Sequence, residues 1–297
     1  MKGEQYLEKV SVILTTYKRS PEMVERALVS IENQTYKNLE IIVVDDSPSD
    51  YMFVKDVENT VKKHAQVMYI KHSHNMGACV ARNTGLKKAT GKYVCFLDDD
   101  DEFVSNKIDV QLRKIKEDSS IAMVYCNCFL LNEETGQVSV RKQTFHNGNI
   151  YYKLLEKNFV GTTSFPLIRT KCIKKLGGFD PQMTACQDYE MWLRICKDYR
   201  VDYVEDPLVI YHYHGGEQIS KNPQKRIEGL ERLFEINAGT LNNNRRLWAL
   251  NHSKLIPEYV SDKQFVKAWL QLCRCFIKYP FSIRYLRMAI SIIKHKL

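Results

Sequence analysis

The first hundred residues alternate between short apolar runs and amphipathic stretches, and this alternation constrains the fold most. The apolar runs cover residues 10–14, 39–44, 67–70 and 93–97. They are rich in β-branched residues without regular polar interruptions, which is typical of strands buried on both faces. Helices are predicted between them, the first beginning at Ser20-Pro21 with a capping serine and a proline at the first helical position. The pattern predicts an α/β fold with a parallel sheet flanked by helices.

The pattern is less regular after about residue 121. Extended segments are predicted at 121–131, 138–144, 165–168 and 201–212. Asp188 precedes a predicted helix at 189–196, and Pro280 separates two helix-like stretches at 263–279 and 281–296. The second half therefore predicts a mixed arrangement that ends in helices.

Four consecutive aspartates follow the apolar run 93–97: Asp98, Asp99, Asp100 and Asp101. Adjacent like charges destabilise a fold unless a cation neutralises them. The carboxyl ends of strands in open α/β sheets are also where ligands bind. Carboxylate oxygens suit Mg²⁺ or Mn²⁺, so the cluster predicts a divalent-cation site. A solvated acidic turn that caps the next helix is the alternative.

Positive charge is concentrated in the last quarter of the chain. Residues 221–297 contain 15 Lys and Arg against 5 Asp and Glu, a balance of +10, whereas the whole chain carries +9. Residues 1–220 therefore carry about −1, and a domain boundary is predicted near residue 220. The basic region lacks the interleaved aromatic residues of a stacking platform, so no nucleic-acid partner is expected.

The sequence favours a cytoplasmic protein. No uninterrupted apolar run approaches the roughly 18 residues of a membrane-spanning helix. Residues 1–9 are polar and lack the apolar core of a secretory signal. The nine cysteines show no zinc-like spacing, and the two C-x-C pairs lie in apolar stretches. Reduced thiols in core positions are therefore expected.

Five sequence blocks occur in a defined order. They are VSVILTTY at 10–17, QTYKNLEIIVVDDS at 34–47, NMGA followed by ARNTG at 75–85, GKYVCFLDDDD at 91–101, and LGGFD followed by QDYEMWLR at 176–194. Together they resemble family 2 glycosyltransferases, which have the GT-A fold. The resemblance covers roughly residues 8–220 and implies a catalytic domain at 1–220, with a nucleotide-sugar half at 8–118 and an acceptor half at 119–220. Residues 221–297 match nothing as definite and are expected to form a basic helical region.

The resemblance implies an inverting, hexosyltransferase-type enzyme that takes a sugar from a UDP-sugar with Mn²⁺ or Mg²⁺. The expected acceptor is a saccharide or a lipid-linked saccharide. A nucleic-acid-binding or membrane-binding protein that uses the basic region without transferase activity is the alternative. The sequence leaves open which sugar is moved and which oligomer forms.

The resemblance also implies roles for donor-side residues. Thr15 would contact the base through its backbone, and Tyr17 would offer an aromatic face for stacking. Asp46 would accept the ring N–H of uracil, with Asp45 as the alternative acceptor. Arg82 would offer a planar fork to a phosphate or the base, unless it instead pairs with a strand-end acid. Gly77 would allow close backbone approach at the start of that helix.

For the metal, the resemblance implies Asp100 as the first ligand, Asp98 as the second and Asp99 as the acceptor of a ribose hydroxyl. Asp99 and Asp101 form an equivalent pair, so the register stays open by one residue. His214 is the third candidate ligand, and His212 lies on the same face of an extended strand.

On the acceptor side, Asp188 is the implied general base, with a plain helix cap as the alternative. The family usually has Glu-Asp here, whereas this chain has Gln187-Asp188, and the lost charge predicts a lower pKa for Asp188 than in relatives. Residues 162–164, Thr162, Thr163 and Ser164, are assigned to the acceptor side or to an ordinary polar loop.

The end of the chain carries an apolar stripe of Ile283, Leu286, Ile290 and Ile293. Arg284, Arg287, Lys294 and Lys296 flank it. Such a helix can lie on an anionic membrane leaflet, which would place the enzyme at the inner face of the plasma membrane. Docking on the catalytic domain or on a second subunit is the alternative.

Overall fold

The computed structural model describes residues 8–213 and 222–296. These residues form two compact units. The sheet unit comprises Phe159–Pro181 and the described parts of Met1–Tyr151 and Met191–Gly215. The helical unit comprises Tyr152–Asn158, Gln182–Glu190 and the described part of Gly216–Leu297. The boundary predicted at residue 220 lies in the stretch 214–221, outside the described residues, and stays a prediction.

The sheet unit is built on one mixed sheet. Its strands are β1 Val10–Thr16, β2 Leu39–Asp45, β3 Val67–Lys71, β4 Tyr93–Asp98, β5 Glu102–Phe103, β6 Ile121–Asn132, β7 Val138–Val140, β8 Leu167–Arg169 and β9 Arg200–Tyr213. The strand order is β3-β2-β1-β4-β8-β6-β9-β5, and β7 pairs with β6 at the side of this path. The predicted α/β class with a mixed, mostly parallel sheet is confirmed.

The first four strands in sheet order, β3, β2, β1 and β4, are all parallel. Because they are parallel, their carboxyl ends lie at one edge of the sheet. Thr16 is paired with Asp45, and Thr15 is paired with Asp98. The apolar runs of β1, β2 and β4 are buried on both faces, as continuous apolar sequences require. The same prediction is wrong for β3, which lies at the end of the strand order and is only partly buried.

The second half of the sheet is mostly antiparallel. Strand β8 runs antiparallel to both β4 and β6, and β5 runs antiparallel to β9. Strands β6 and β9 are parallel, with register shifts near Cys126 and Asn127. The two-residue strand β5 directly follows the aspartates and has no sequence signal of its own, because its length allows no periodicity.

Two predicted strands are shorter than expected. The segment 138–144 is extended only at Val138–Val140, whose three residues are exposed and pair with the end of β6 alone. The segment 165–168 begins its ladder at Leu167. Its Phe165 carbonyl instead accepts a hydrogen bond from the Gln111 side-chain amide at 2.8 Å.

In the sheet unit, helices flank the sheet. In the helical unit, helices form most of the structure. They are α1 Pro21–Glu32, α2 Val54–Lys62, α3 Ala78–Lys88, α4 Lys107–Lys116, α5 Tyr151–Glu156, α6 Thr170–Lys175, α7 Gln187–Asp198, α8 Pro223–Ile236, α9 Ala238–Asn242, α10 Arg245–His252, α11 Leu255–Ser261, α12 Phe265–Lys278 and α13 Arg284–Lys296. Helices α5 and α7 contribute residues to both units. The predicted helices at 189–196, 263–279 and 281–296 are confirmed with slightly different bounds.

Gly91 allows close contact between the turn before β4 and strand β1. Its N–H donates to Ser11 Oγ at 2.9 Å, and an added Cβ would lie 2.6 Å from the Ser11 backbone nitrogen. We expect Gly91→Ala to lower the free energy of unfolding by about 2 kcal/mol, since backbone cannot move aside as a side chain can. Urea denaturation measures this loss.

Gly239→Ala is the matched control, because nothing lies within 4 Å of a Cβ at this position of helix α9. The control substitution should be neutral or slightly stabilising, since alanine favours helix over glycine. Equal stability of the wild type and Gly91→Ala would contradict the close approach between Gly91 and the backbone of Ser11.

Candidate active site

The parallel strands bring the predicted donor-side residues to one edge of the sheet. Thr15 and Thr16 end β1, Asp45 ends β2 and Asp98 ends β4. Tyr17 directly follows β1, and the residue is 40% exposed. The Lys18 ammonium lies 5.5 Å from the centre of the Tyr17 ring. An aromatic face is therefore accessible beside the strand-end carboxylates.

Asp98 is held by two neighbours from distant parts of the sequence. Arg82 Nη2 lies 2.8 Å from its Oδ1. The Thr163 hydroxyl lies 2.9 Å from Oδ1 and 2.8 Å from Oδ2. The ion pair considered as an alternative for Arg82 is thus present, and its role towards a donor stays a prediction.

Arg19 joins the next two aspartates and was missed by the sequence analysis. Its Nε lies 2.8 Å from Asp99 Oδ1, and its Nη2 lies 3.0 Å from Asp100 Oδ2. The Tyr17 backbone N–H also donates to Asp99 Oδ2 at 3.2 Å. The sequence offered only its position two residues after Tyr17, which does not by itself distinguish it from a surface arginine.

Burial divides the four aspartates into two pairs. The side chains of Asp98 and Asp100 are 26% and 19% exposed, whereas Asp99 and Asp101 are buried. Burial raises the pKa of Asp99 to about 6, although the charge of Arg19 opposes this effect. A ligand can therefore reach Asp98 and Asp100 more easily than Asp99 and Asp101.

Asp101 is the most enclosed of the four. Its Oδ2 accepts a hydrogen bond from Ser164 Oγ at 2.6 Å, while Oδ1 has no partner among the described residues. Burial, with the negative charge of Asp100, raises the pKa of Asp101 well above its ordinary value. The ion pairs of Arg19 and Arg82 with three of the four carboxylates offset part of the repulsion expected within the cluster.

The hydroxyls of Thr163 and Ser164 contact Asp98 and Asp101, and the choice between the acceptor side and an ordinary polar loop for residues 162–164 stays a prediction. These contacts depend on strand β8, which pairs with β4 and carries the preceding loop to the aspartates. That pairing joins segments more than sixty residues apart in sequence, as in the 66-residue separation between Asp98 and Ser164.

Asp45 and Asp46 are both buried, and both accept hydrogen bonds from neighbouring strands and loops. Asp45 accepts hydrogen bonds from the Ser47 N–H at 2.8 Å and the Tyr69 hydroxyl at 2.9 Å. Asp46 accepts from His72 Nδ1 at 2.7 Å, and from the backbone N–H groups of Met76 and Gly77, each at 2.8 Å. Asp46 therefore holds the start of α3, and the choice between the two as uracil acceptor stays a prediction.

Gly77 precedes α3 with a φ of 90°, in the region that favours glycine. Nothing lies within 4 Å of a Cβ built on it. The position is therefore open in the described structure, as a backbone approached by a ligand requires.

Asp188 is the second residue of α7 and lies in the helical unit. Its Oδ1 accepts the Tyr189 N–H at 2.6 Å. The Tyr189 hydroxyl donates to the Leu154 carbonyl at 2.7 Å, and Lys254 Nζ lies 3.1 Å from that hydroxyl. Burial lowers the pKa of Lys254 to about 8. The residue after Asp188 is thereby firmly held, while the base role of Asp188 stays a prediction.

The two histidines differ in what the structure describes. His214 lies outside the described residues. His212 is buried, with Nδ1 2.9 Å from Glu133 and Nε2 2.8 Å from Glu102. Both of its ring nitrogens are therefore occupied, which favours a structural role over metal binding. Within residues 8–213 and 222–296, no three metal-ligating side chains converge on one point.

A family model described as "Glycosyl transferase family 2" matches residues 11–177, more than half of the chain. The chain belongs to glycosyl transferase family 2. It is a glycosyltransferase with a GT-A fold, as the sequence resemblance implied.

Two curated Escherichia coli proteins illustrate the relationship. The putative colanic acid biosynthesis glycosyl transferase WcaA of strain K12 is 29% identical, over 73% of this chain and 77% of its own length. WfgD, named as a UDP-Glc:alpha-D-GlcNAc-diphosphoundecaprenol beta-1,3-glucosyltransferase, is 29% identical over 74% of this chain and 82% of its own length. Longer relatives from Rickettsia also match, but the chain spans only 36% of the Rickettsia felis protein.

Among solved structures, Staphylococcus aureus TarS residues 1–349 in complex with UDP-GlcNAc is similar, with a TM-score of 0.63. The match covers 85% of this chain and 73% of that one at 19% identity, so it shows the shared fold alone. In the part of the chain that the structure describes, none of the helices has the length and hydropathy needed to span a bilayer.

Proposed function

We propose that this glycosyltransferase moves a sugar from a UDP-sugar to a saccharide acceptor and inverts the anomeric centre. The observation that carries the proposal is the edge formed by β1, β2 and β4. There the exposed Tyr17 ring lies on the loop after β1, and the Asp98 and Asp100 carboxylates are partly open. An aromatic platform beside such carboxylates suits a nucleotide diphosphate.

We propose that a divalent cation binds the oxygen donors at this edge. Asp98 and Asp100 are the open members of the aspartate run, which supports their register over that of Asp99 and Asp101. His214 is the proposed third ligand. Mn²⁺ or Mg²⁺ held there would supply Lewis-acid stabilisation of the leaving diphosphate.

The chain's own residues perform the remaining tasks in the proposed reaction. Tyr17 stacks on uracil, and Arg19 and Arg82 offer guanidinium groups near the diphosphate. Asp188 accepts the proton of the acceptor hydroxyl. The hydroxyl oxygen forms a bond to the anomeric carbon as the bond to the diphosphate oxygen breaks, and UDP leaves with the electron pair.

The proposed acceptor is a saccharide, free or carried on a lipid diphosphate. The relative WfgD is named for an undecaprenol-linked acceptor, which supports the lipid-linked form. We therefore also propose a cytoplasmic enzyme that works at the inner face of the plasma membrane.

Slow hydrolysis without acceptor tests the donor assignment. The enzyme is incubated with a panel of UDP-sugars and Mn²⁺, and UDP release is measured. We expect one UDP-sugar to be hydrolysed above the others and the release to stop with EDTA. A matched panel of GDP-sugars is the control, and preferential release of GDP would overturn the proposal.

Arg19 provides a test of the cation site that does not depend on turnover. Arg19→Gln removes the cation shared by Asp99 and Asp100, and should lower the free energy of unfolding in EDTA by about 2 kcal/mol. Mn²⁺ should restore more stability to this variant than to the wild type, because the metal replaces the lost positive charge. Urea denaturation with and without MnCl₂ measures both effects.

Arg113→Gln is the control, since Arg113 pairs with Asp109 on the exposed surface of α4. It should change stability by less than about 0.5 kcal/mol and show no special response to Mn²⁺. An equal Mn²⁺ effect in Arg19→Gln and wild type would show that metal and Arg19 do not share these carboxylates.

A further inference from the structure

Helices α12 and α13 each have an apolar face that is already covered. On α12, Ala268, Leu272 and Cys275 are buried, and on α13, Tyr285 and Ile292 are buried. The Tyr285 hydroxyl donates to the Cys275 carbonyl at 3.3 Å, which ties the two helices together. These buried residues define the side of each helix that packs inside the helical unit.

Each helix also has a second apolar face that is exposed. We define the outer apolar face by Val266, Leu270 and Ile277 of α12, with Leu286, Ile290 and Ile293 of α13. Their spacings of three, four and seven residues place them along one side of each helix. Ile277 is 81% exposed, and Phe281 between the helices is 83% exposed. Exposed apolar side chains in this number on one segment of a chain usually mark an interaction site.

The charge around the outer apolar face has a single sign. Residues 263–297 contain eight Lys and Arg and no Asp or Glu. At 100° per residue, Lys267, Arg274 and Lys278 lie beside the exposed stripe of α12, and Arg287 and Lys294 lie beside that of α13. These five side chains are exposed, and none forms an ion pair with an acid of the described chain.

We propose that the outer apolar face docks on a membrane surface that contains anionic lipids. An amphipathic helix buries its apolar side in the boundary between headgroups and acyl chains, while its flanking lysines and arginines meet the lipid phosphates. An exposed apolar side and flanking basic residues are both present on the adjoining helices α12 and α13.

Charge favours this occupant over a second copy of the chain. In a symmetric dimer, the same face of each partner would meet itself. The five basic residues beside this face on one chain would then meet the same five on the other, with no acidic residue between 263 and 297 to pair with them. Such like-charge opposition disfavours self-association, whereas an anionic leaflet attracts the same residues.

Docking does not rest on the donor or acceptor assignment, so its test needs no substrate. The full chain is mixed with vesicles of phosphatidylcholine alone, or with vesicles that also contain phosphatidylglycerol, and bound protein is recovered by flotation. We expect binding to the anionic vesicles and much weaker binding to the neutral ones. Added NaCl should weaken the anionic binding, because salt screens exposed charges.

Two double variants separate the charge from the apolar contribution. Arg287→Gln with Lys294→Gln should lower the partition coefficient on the order of twentyfold, at about fivefold per residue. Leu270→Glu with Ile277→Glu should abolish flotation, because it places carboxylates in the apolar stripe. The controls are Met52→Glu and Lys37→Gln with Lys63→Gln, at exposed positions of the sheet unit, and these should float as the wild type does.

Equal flotation with neutral and anionic vesicles would overturn the proposal, as would no flotation with either. A concentration-dependent dimer that Leu270→Glu with Ile277→Glu dissociates, without vesicle binding, would assign the face to a second copy. Circular dichroism of each variant confirms that a loss of flotation is not a loss of fold. UDP-sugar hydrolysis by the wild type, measured separately, distinguishes failure of docking from failure of the proposed function.

Discussion

Asp100→Ala is expected to lower sugar transfer about a thousandfold, because it removes the open carboxylate proposed to hold the cation at the leaving diphosphate. Asp100 is partly exposed and shares Arg19 with Asp99. Its loss should also weaken binding of UDP in the presence of Mn²⁺. Steady-state kinetics and calorimetric titration of UDP with and without Mn²⁺ measure the two effects.

Asp109→Ala is the matched control for Asp100→Ala. Asp109 lies on α4, and its partly exposed carboxylate pairs with Arg113 four residues later. Transfer and UDP binding should stay at wild-type levels in this variant. Full transfer by Asp100→Ala, with unchanged UDP affinity, would contradict the assignment of Asp100 to the donor site.

The second large effect is expected at Asp188. Asp188→Asn keeps the shape of the side chain but removes its ability to accept a proton, so kcat should fall by about 10²-fold to 10⁴-fold. Donor binding should not change, since the proposed role concerns only the acceptor hydroxyl. Transfer kinetics and the dissociation constant for UDP together test this separation.

Asp198→Asn is the control for Asp188→Asn, because it makes the same change in the exposed last residue of helix α7. It should leave both transfer and donor binding unchanged. If Asp188→Asn transferred sugar at the wild-type rate, another group would have to take the proton. If Asp188→Asn lost UDP affinity as well, the residue would act on the donor side.

The parallel half of the fold was predictable because its signals are local. Each of β1, β2, β3 and β4 has a continuous apolar run, and a helix lies between each pair of consecutive strands. Such alternation allows few arrangements other than a parallel sheet. The strand ends then meet without further information, so Thr15 and Asp98 could be expected at one edge.

The antiparallel half and its contacts were not predictable in the same way. Strand β8 has three residues and β5 has two, which is too short for a period of two to be recognised. Arg19 carried no motif that distinguished it from a surface arginine. Its partners are 80 and 81 residues away in sequence.

The sequence by itself determined the class of fold, the family resemblance and the acidic strand end, because these depend on local periodicity and on residue order. It also determined the basic end of the chain, since composition needs no structure. Only the tertiary structure decided that Arg19, Arg82 and Ser164 contact the aspartates, and that Asp98 and Asp100 are the open pair. Those outcomes depend on strand pairing between distant segments and on burial, which short stretches of sequence do not encode.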